Sequence, residues 1–109
     1  MEAYLSNHQL HTLIIDKIDD LKGFNIITLD VKNKSTITDS LIICTANSNR
    51  QAMAIAEHLT HALKQHNCGV LAMSYDKEAT WIVLDLGDVM VHIMQEETRQ
   101  YYALEQLWG

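Results

Sequence analysis

The chain lacks several features that mark particular classes of protein. It has no proline, four glycines and two cysteines among 109 residues, and no linker or low-complexity segment interrupts it. No apolar run reaches the roughly 18 residues that a membrane span requires. The N-terminus has no basic region followed by an apolar stretch, which a signal peptide would show. We therefore predict one cytoplasmic domain spanning residues 1–109, with no membrane partner.

Cysteines and basic residues are also few, which argues against a disulfide-stabilised protein and against a DNA-binding protein. Cys44 lies in an apolar segment, and with Cys68 it is expected to remain a reduced thiol. Eight basic residues stand against fourteen acidic ones, for a formal net charge of −6. Phosphate backbones are bound by clustered Lys and Arg, so direct DNA binding is not expected. The acidic balance favours a basic protein as partner.

Hydrophobic periodicity predicts helices alternating with strands. Ser6 and Gln9 form a capping-box pattern at the start of the first helix, and Gly23 is expected to end that helix in the left-handed conformation. The predicted elements are a helix over 6–23, strands over 25–31 and 39–45, a helix starting at Ser48, a strand over 70–75, a hairpin over 81–94, and a helix from about Glu97 in which Tyr101, Leu104 and Trp108 form one stripe. This order predicts an α/β fold, a sheet with helices packed on it.

The hairpin carries two carboxylates at its tip. Two apolar runs flank Leu86, Gly87 and Asp88, which places Asp85 and Asp88 across the turn. The two acids suit acid–base chemistry or metal binding, a local role in the turn, or contact with a partner. Catalysis would need a nucleophile, a third acid or a glycine-rich phosphate loop, and none is evident. A small Mg²⁺-dependent nucleotidyltransferase-like enzyme stays as the alternative function, with a third acid to be found among Asp30 and Asp39.

Three other residues near the hairpin have both a structural and a functional interpretation. Trp81 begins the hairpin, so its ring either packs in the core or anchors a partner. His92 alternates with apolar neighbours and is either half-buried or a contact residue. Glu97 suits a helix N-terminus and also extends the acidic surface. The paired histidines of the two long helices lack a third ligand, so neither a metal nor a cofactor is expected.

Several segments resemble the ribosomal silencing factor family, also called the Iojap family. The resemblance covers nearly everything from Leu13 to Trp108. The segments that carry it are 27–31 (ITLDV), 37–45 (ITDSLIICT), 48–51 (SNRQ), 81–92 (WIVLDLGDVMVH) and 97–108 (ETRQYYALEQLW). The chain departs from the common pattern at Ala46, Ser74, Tyr75 and Leu86.

The resemblance implies a factor that is not an enzyme. Family members bind the large ribosomal subunit through its fourteenth protein, block joining of the small subunit, and lower translation when nutrients are short. The implied fold is a single domain with a mixed β-sheet flanked by helices, of nucleotidyltransferase-like topology without that catalytic motif. Some members form homodimers, so a homodimer is possible here. The partner-binding residues that we predict are Trp81, Asp85, Leu86, Asp88, His92, Glu97, Arg99 and Tyr101.

Overall fold

The computed structural model describes residues 5–36 and 38–108, which form one α/β domain. Its elements are α1 Asn7–Asp20, β1 Phe24–Asp30, β2 Ser40–Ala46, α2 Asn49–Gln65, β3 Ala72–Tyr75, β4 Trp81–Asp85, β5 Val89–Gln95, α3 Glu96–Tyr102 and α4 Leu104–Trp108. The two ends of the predicted domain, Ile37 of the family segments and the side chain of Trp108 lie outside the described residues. Within the described part, no helix is long and apolar enough to cross a membrane.

The five strands form one mixed sheet in the order β1-β2-β5-β4-β3. The β2–β5 pair is parallel, and the other three pairs are antiparallel. β4 and β5 form the predicted hairpin, and β2 is buried along its whole length as its apolar run indicated. The predicted mixed sheet flanked by helices is therefore confirmed.

The start of α1 agrees with the sequence, whereas its end differs. The Ser6 hydroxyl accepts a hydrogen bond from the Gln9 amide at 3.2 Å, and the Gln9 side chain accepts one from the Ser6 amide at 2.9 Å. The residue in the left-handed conformation is Lys22, at φ 70°, so the role predicted for Gly23 is wrong. Gly23 is needed for another reason, because a Cβ there would overlap the Cγ2 methyl of Ile18.

The main core lies between one face of the sheet and the helices α1 and α2. Ser48 caps α2 by accepting from the Gln51 amide at 3.1 Å. The Gln51 side chain donates to the carbonyls of Leu21 and Lys22, at 3.0 and 3.1 Å, and so ties α2 to the end of α1. The largest fully buried side chains of this core are Ile14, Ile18, Ile42, Ile55, Leu59, Leu63, Ile82, Leu84 and Ile93.

The last predicted helix is two short helices, because the chain turns sharply at Ala103. Ala103 has φ 46° and ψ 51°, the left-handed conformation that interrupts an α-helix. Leu104 beyond the break is buried against Ile43 and Met94, whereas Tyr101 before it is 82% exposed. The predicted stripe that joined Tyr101 to Leu104 is therefore wrong, since the break rotates the two residues to different sides.

Candidate partner-binding surface

The sheet face opposite α1 and α2 is only partly covered, by α3 and α4. Side chains alternate along a strand, so Trp81 and Val83 of β4 lie on this face with Met90 and His92 of β5. The ring of Tyr102 on α3 packs against Trp81 in a tilted arrangement at the edge of the covered part. We call this uncovered area the open face and define it by these five residues.

Trp81 is held at the open face by contacts from two other elements. Its indole Nε1–H donates a hydrogen bond to Nδ1 of His92, with 2.9 Å between the two nitrogens. The ring of Tyr102 lies against the indole, with 4.6 Å between ring centroids and 46° between planes. Trp81 is partly buried, so one part of its ring remains available to solvent. A large aromatic ring held in place and partly exposed is typical of an interface anchor.

The loop before β4 is organised by the carboxylate of Asp76. This carboxylate accepts hydrogen bonds from the amides of Thr80 and Trp81, at 2.7 and 3.3 Å, and from the Thr80 hydroxyl. The Thr80 hydroxyl, and then the two amides, hold the pKa of Asp76 below its ordinary value. Ala79 in the same loop has φ 53°. The loop thereby directs the chain into β4 at Trp81.

Two depressions adjoin the Trp81–His92 pair. One has a volume of about 430 Å³ and includes Trp81, Val83 and Tyr102 in its lining. The other has a volume of about 210 Å³, and its mostly apolar lining includes Met90, His92 and Leu104. The open face is therefore a shallow, largely apolar surface with recesses on both sides of its central pair.

His92 is only 8% exposed, and burial lowers its pKa from 6.5 to about 4. The unfolded chain therefore takes up a proton on this residue at a higher pH than the folded chain does. The neutral His92 ring therefore costs the fold no stability above pH 6.5. As the pH falls from 6.5 towards 4, stability is lost because protonation of His92 favours the unfolded chain. We expect the free energy of unfolding to fall by about 2–3 kcal/mol from this residue between pH 7.5 and pH 4.5.

Urea unfolding at the two pH values, on the natural protein and on His92→Phe, measures this loss. The pKa of His11 is also lowered, first by burial and then by the nearby His8. Because His11 remains in both proteins, the difference between them isolates His92. Equal losses in the two proteins would show that His92 does not carry the effect.

The hairpin tip is formed largely by contacts within the chain. The Asp85 carboxylate accepts a hydrogen bond from the Gly87 amide at 2.9 Å, and Gly87 has φ 90°, a conformation that favours glycine. Leu86 packs against the main core. The Asp88 carbonyl accepts from the amides of Asp39 and Ser40, both at 3.1 Å, while its side chain is exposed. Of the two acids at the tip, Asp88 has the more available carboxylate.

The alternative enzyme would need the acids of the tip to converge with other potential metal ligands. Within residues 5–36 and 38–108, no group of three His, Cys, Asp or Glu side chains is arranged to hold a metal ion. Asp30, one of the two candidates for a third acid, is exposed at the end of β1. The geometry that the alternative enzyme requires is therefore not found among the described residues.

Arg99 is placed in the interior, although we predicted it as a contact residue. Its guanidinium donates to Glu105 at 2.8 Å, to the Asn25 carbonyl at 2.6 Å and to the Thr45 hydroxyl at 2.7 Å. The residue is 8% exposed, because α3 turns this side chain towards β2. It therefore joins β1, β2 and α4, and the open face does not include it.

The remaining predicted contact residues lie around the open face at different distances. Tyr101 is exposed and meets Tyr102 edge-on, with 5.0 Å between ring centroids. Glu97 is exposed at the start of α3, near the Trp81 end of the hairpin. The tip lies at the other end, since four residues of β4 at about 3.3 Å each separate Trp81 from Asp85 by roughly 13 Å.

Three residues of the open face were not among the predicted contact residues: Val83, Met90 and Tyr102. Alternation within the predicted hairpin carried a signal for Val83, because it shares a face with Trp81. The register places Val83 opposite His92, which brings Met90 to the same side. Tyr102 had no comparable signal, because its contact with Trp81 depends on how α3 packs beside β4.

The fold defines the class of this protein: a small single α/β domain with a mixed five-stranded sheet, α1 and α2 on one face and the open face on the other. The family model described as "Ribosomal silencing factor during starvation" matches residues 5–109. The ribosomal silencing factor of Haemophilus influenzae is 43% identical over 96 residues, covering 88% of this chain and 94% of that protein. The chain belongs to the ribosomal silencing factor family.

Further relatives agree in sequence and in structure. The ribosomal silencing factor of Halalkalibacterium halodurans is 36% identical over 105 residues, covering 96% of this chain and 90% of that protein. A crystal structure of a protein from Chromobacterium violaceum superimposes with a TM-score of 0.91 at 32% identity, covering 96% of this chain and 88% of that chain. The α/β architecture described above is thus the architecture of the family.

Proposed function

We propose that this protein represses translation in the cytoplasm when nutrients are limiting, by binding the large ribosomal subunit through the subunit's fourteenth protein. A protein bound at the face that meets the small subunit would block subunit joining by steric exclusion. Membership of the ribosomal silencing factor family supports a ribosomal partner. The observation that carries the proposal is the open face, where Trp81 is held in place and only partly buried.

The charges around the open face support a basic partner. At one end of the hairpin, Asp88 has an exposed side chain. At the other end, Asp76, Glu96 and Glu97 are exposed near the start of β4 and α3. An apolar, aromatic centre with a charged rim is the usual composition of a protein interface. An acidic rim complements a basic ribosomal protein and speeds its association.

We propose that the protein acts by binding and is not an enzyme. The alternative function, a Mg²⁺-dependent nucleotidyltransferase-like enzyme, needs converging acids at the hairpin tip. Asp85 instead accepts from its own turn, and the described residues hold no set of three potential metal ligands. No feature of the described structure favours the enzyme over the binding function.

Subunit joining gives the direct test of this function. We expect excess protein to shift joined ribosomes towards free subunits, because any protein-sized object at the joining face excludes the small subunit. Sucrose gradients at limiting Mg²⁺ measure the shift. Ile15→Ala, which alters an exposed residue of α1 on the opposite side of the sheet, serves as the matched control and should act like the natural protein. An unchanged fraction of joined particles at saturating protein would contradict the proposal.

Charge reversal tests whether the hairpin tip contributes to the contact. Asp85→Lys together with Asp88→Lys should weaken binding to isolated large subunits strongly, and the loss should shrink at higher salt because rim charges act mainly on association. Binding at two salt concentrations measures this effect. Because Asp85 also holds the Gly87 amide, the double variant is expected to lose about 1 kcal/mol of stability.

Asp88→Lys alone separates the charge of the tip from its structural role in the turn. The Asp88 side chain is exposed, and its contacts within the chain are made by its backbone carbonyl. It should weaken binding at low salt without a change in the thermal melt. Natural affinity in a well-folded double variant would remove the tip from the contact and leave the centre of the open face.

A homodimer stays a prediction from the family resemblance. The feature compatible with it is β3, which lies at one edge of the sheet beside β4. Leu71, Met73 and Tyr75 are 72%, 41% and 54% exposed along this edge. An exposed edge strand with apolar side chains can pair with another chain.

A further inference from the structure

The hydrogen bond between Trp81 and His92 joins two strands diagonally. In the register of β4 and β5, Trp81 lies opposite Met94 and His92 lies opposite Val83, so the two residues are diagonal neighbours. Diagonal pairs are within reach of aromatic side chains. The ring centroids are 5.9 Å apart and the planes are inclined by 41°, so the contact is made through the N–H group and not by stacking.

The donor and acceptor roles in this bond follow from the chemistry of the two rings. An indole N–H can only donate, so Nδ1 of His92 must carry a free lone pair. The imidazole is therefore neutral in this geometry, with its proton on Nε2. Burial of the ring lowers its pKa, which keeps the ring neutral across the physiological range.

Packing alone does not account for an imidazole at this position. The residues on either side of it on the same face of β5 are Met90 and Met94, and an apolar side chain there would avoid the cost of burying a polar ring. His92 supplies the acceptor for the indole N–H of Trp81, a residue that is only partly buried. What His92 adds is a fixed direction for the indole N–H, and hence one orientation of the ring.

We propose that His92 is a positioning residue for partner binding, which holds the indole of Trp81 in the orientation that the partner meets. The inference rests on the proposed function, because the partner in question is the large ribosomal subunit. Trp81 lines one depression of the open face and His92 the other, so the bond between them sets the surface between the two recesses. A ring ordered before binding loses less conformational entropy in the complex, which raises affinity without a new contact.

The test compares two substitutions that differ in one hydrogen-bond acceptor. His92→Phe keeps a ring of similar size and removes the acceptor, whereas His92→Asn can place an amide oxygen near the position of Nδ1. We expect His92→Phe to bind isolated large subunits about tenfold more weakly, as loss of one ordered hydrogen bond implies. His92→Asn should recover binding to within about threefold of the natural protein.

The indole N–H signal in a nitrogen–proton NMR spectrum reports the orientation directly. Trp81→Phe assigns that signal, because the chain has only two tryptophans. In His92→Phe the signal should move and exchange faster with water, and in His92→Asn it should return towards its natural position. Trp81→Phe also removes the donor, so adding His92→Phe to it should weaken binding no further.

Three outcomes would overturn the inference. A folded His92→Phe protein with natural affinity would do so, and so would an unmoved indole signal. Full additivity of His92→Phe with Trp81→Phe would also do so. If His92→Phe does not fold, His92→Met, which matches the neighbouring Met90 and Met94, takes its place. If the natural protein itself does not bind large subunits, the proposed function fails together with this inference. If the natural protein binds and only the His92 variants contradict expectation, this inference alone fails.

Discussion

Trp81→Ala should weaken binding to isolated large subunits by roughly 30- to 1000-fold, the effect of removing an aromatic anchor worth about 2–4 kcal/mol. The ring contacts both His92 and Tyr102 on the open face. Its loss would remove apolar contact area and would leave the depression beside it without a wall. Equilibrium binding to purified large subunits measures the change.

The same substitution also affects packing, so its control must separate binding from folding. Trp81 contacts the small cluster formed by Ile43, Met94 and Leu104, and some loss of thermal stability is expected. Trp81→Leu keeps apolar bulk in that cluster but lacks the aromatic surface, and it should weaken binding with a smaller loss of stability. Ile15→Ala on α1 should leave binding unchanged. Natural affinity in folded Trp81→Ala would remove the open face from the proposal.

Arg99→Met should lower the free energy of unfolding by about 3 kcal/mol, the cost of removing one partner from a buried ion pair. The guanidinium satisfies Glu105, the carbonyl of Asn25 and the hydroxyl of Thr45 at once. Methionine fills much of the same volume but leaves these three groups without their donor. Domains of this size have a total stability of about 5–15 kcal/mol, so the loss is a large share of it.

Urea unfolding measures the change, and Arg50→Met is the matched control. Arg50 is exposed near the start of α2, so the same substitution there should change stability by no more than about 0.5 kcal/mol. Adding Glu105→Leu to Arg99→Met should recover part of the loss, because no unpaired charge then remains. Equal effects at the two arginines would show that the Arg99 contacts do not stabilise the fold.

Local patterns predicted those elements whose cause is local. The capping box of Ser6 and Gln9 predicted the start of α1, because both hydrogen bonds lie within four residues. The apolar run over 39–45 predicted strand β2, and the turn beside Gly87 predicted the hairpin. Alternation along the second arm of the hairpin also predicted that His92 faces opposite to Val91 and Ile93, as the register places it.

Long-range packing decided what those patterns left open. Gly23 was expected to supply a left-handed residue, but the approach of Ile18 requires its missing Cβ and Lys22 takes the left-handed conformation. Arg99 had the appearance of a surface residue beside Glu97. Its partners Asn25 and Thr45 are 74 and 54 residues away in sequence, so no local pattern could reveal the burial.

The sequence by itself determined the α/β class, the helix starts, the hairpin, the acidic charge and the family to which the chain belongs. Only the tertiary structure decided which residues form the open face. The bond between Trp81 and His92 requires the exact register of β4 against β5, and the contact of Tyr102 with Trp81 requires α3 to pack beside the start of β4. Such contacts depend on how separate elements are placed in space. That placement cannot be read from a one-dimensional pattern of residue types.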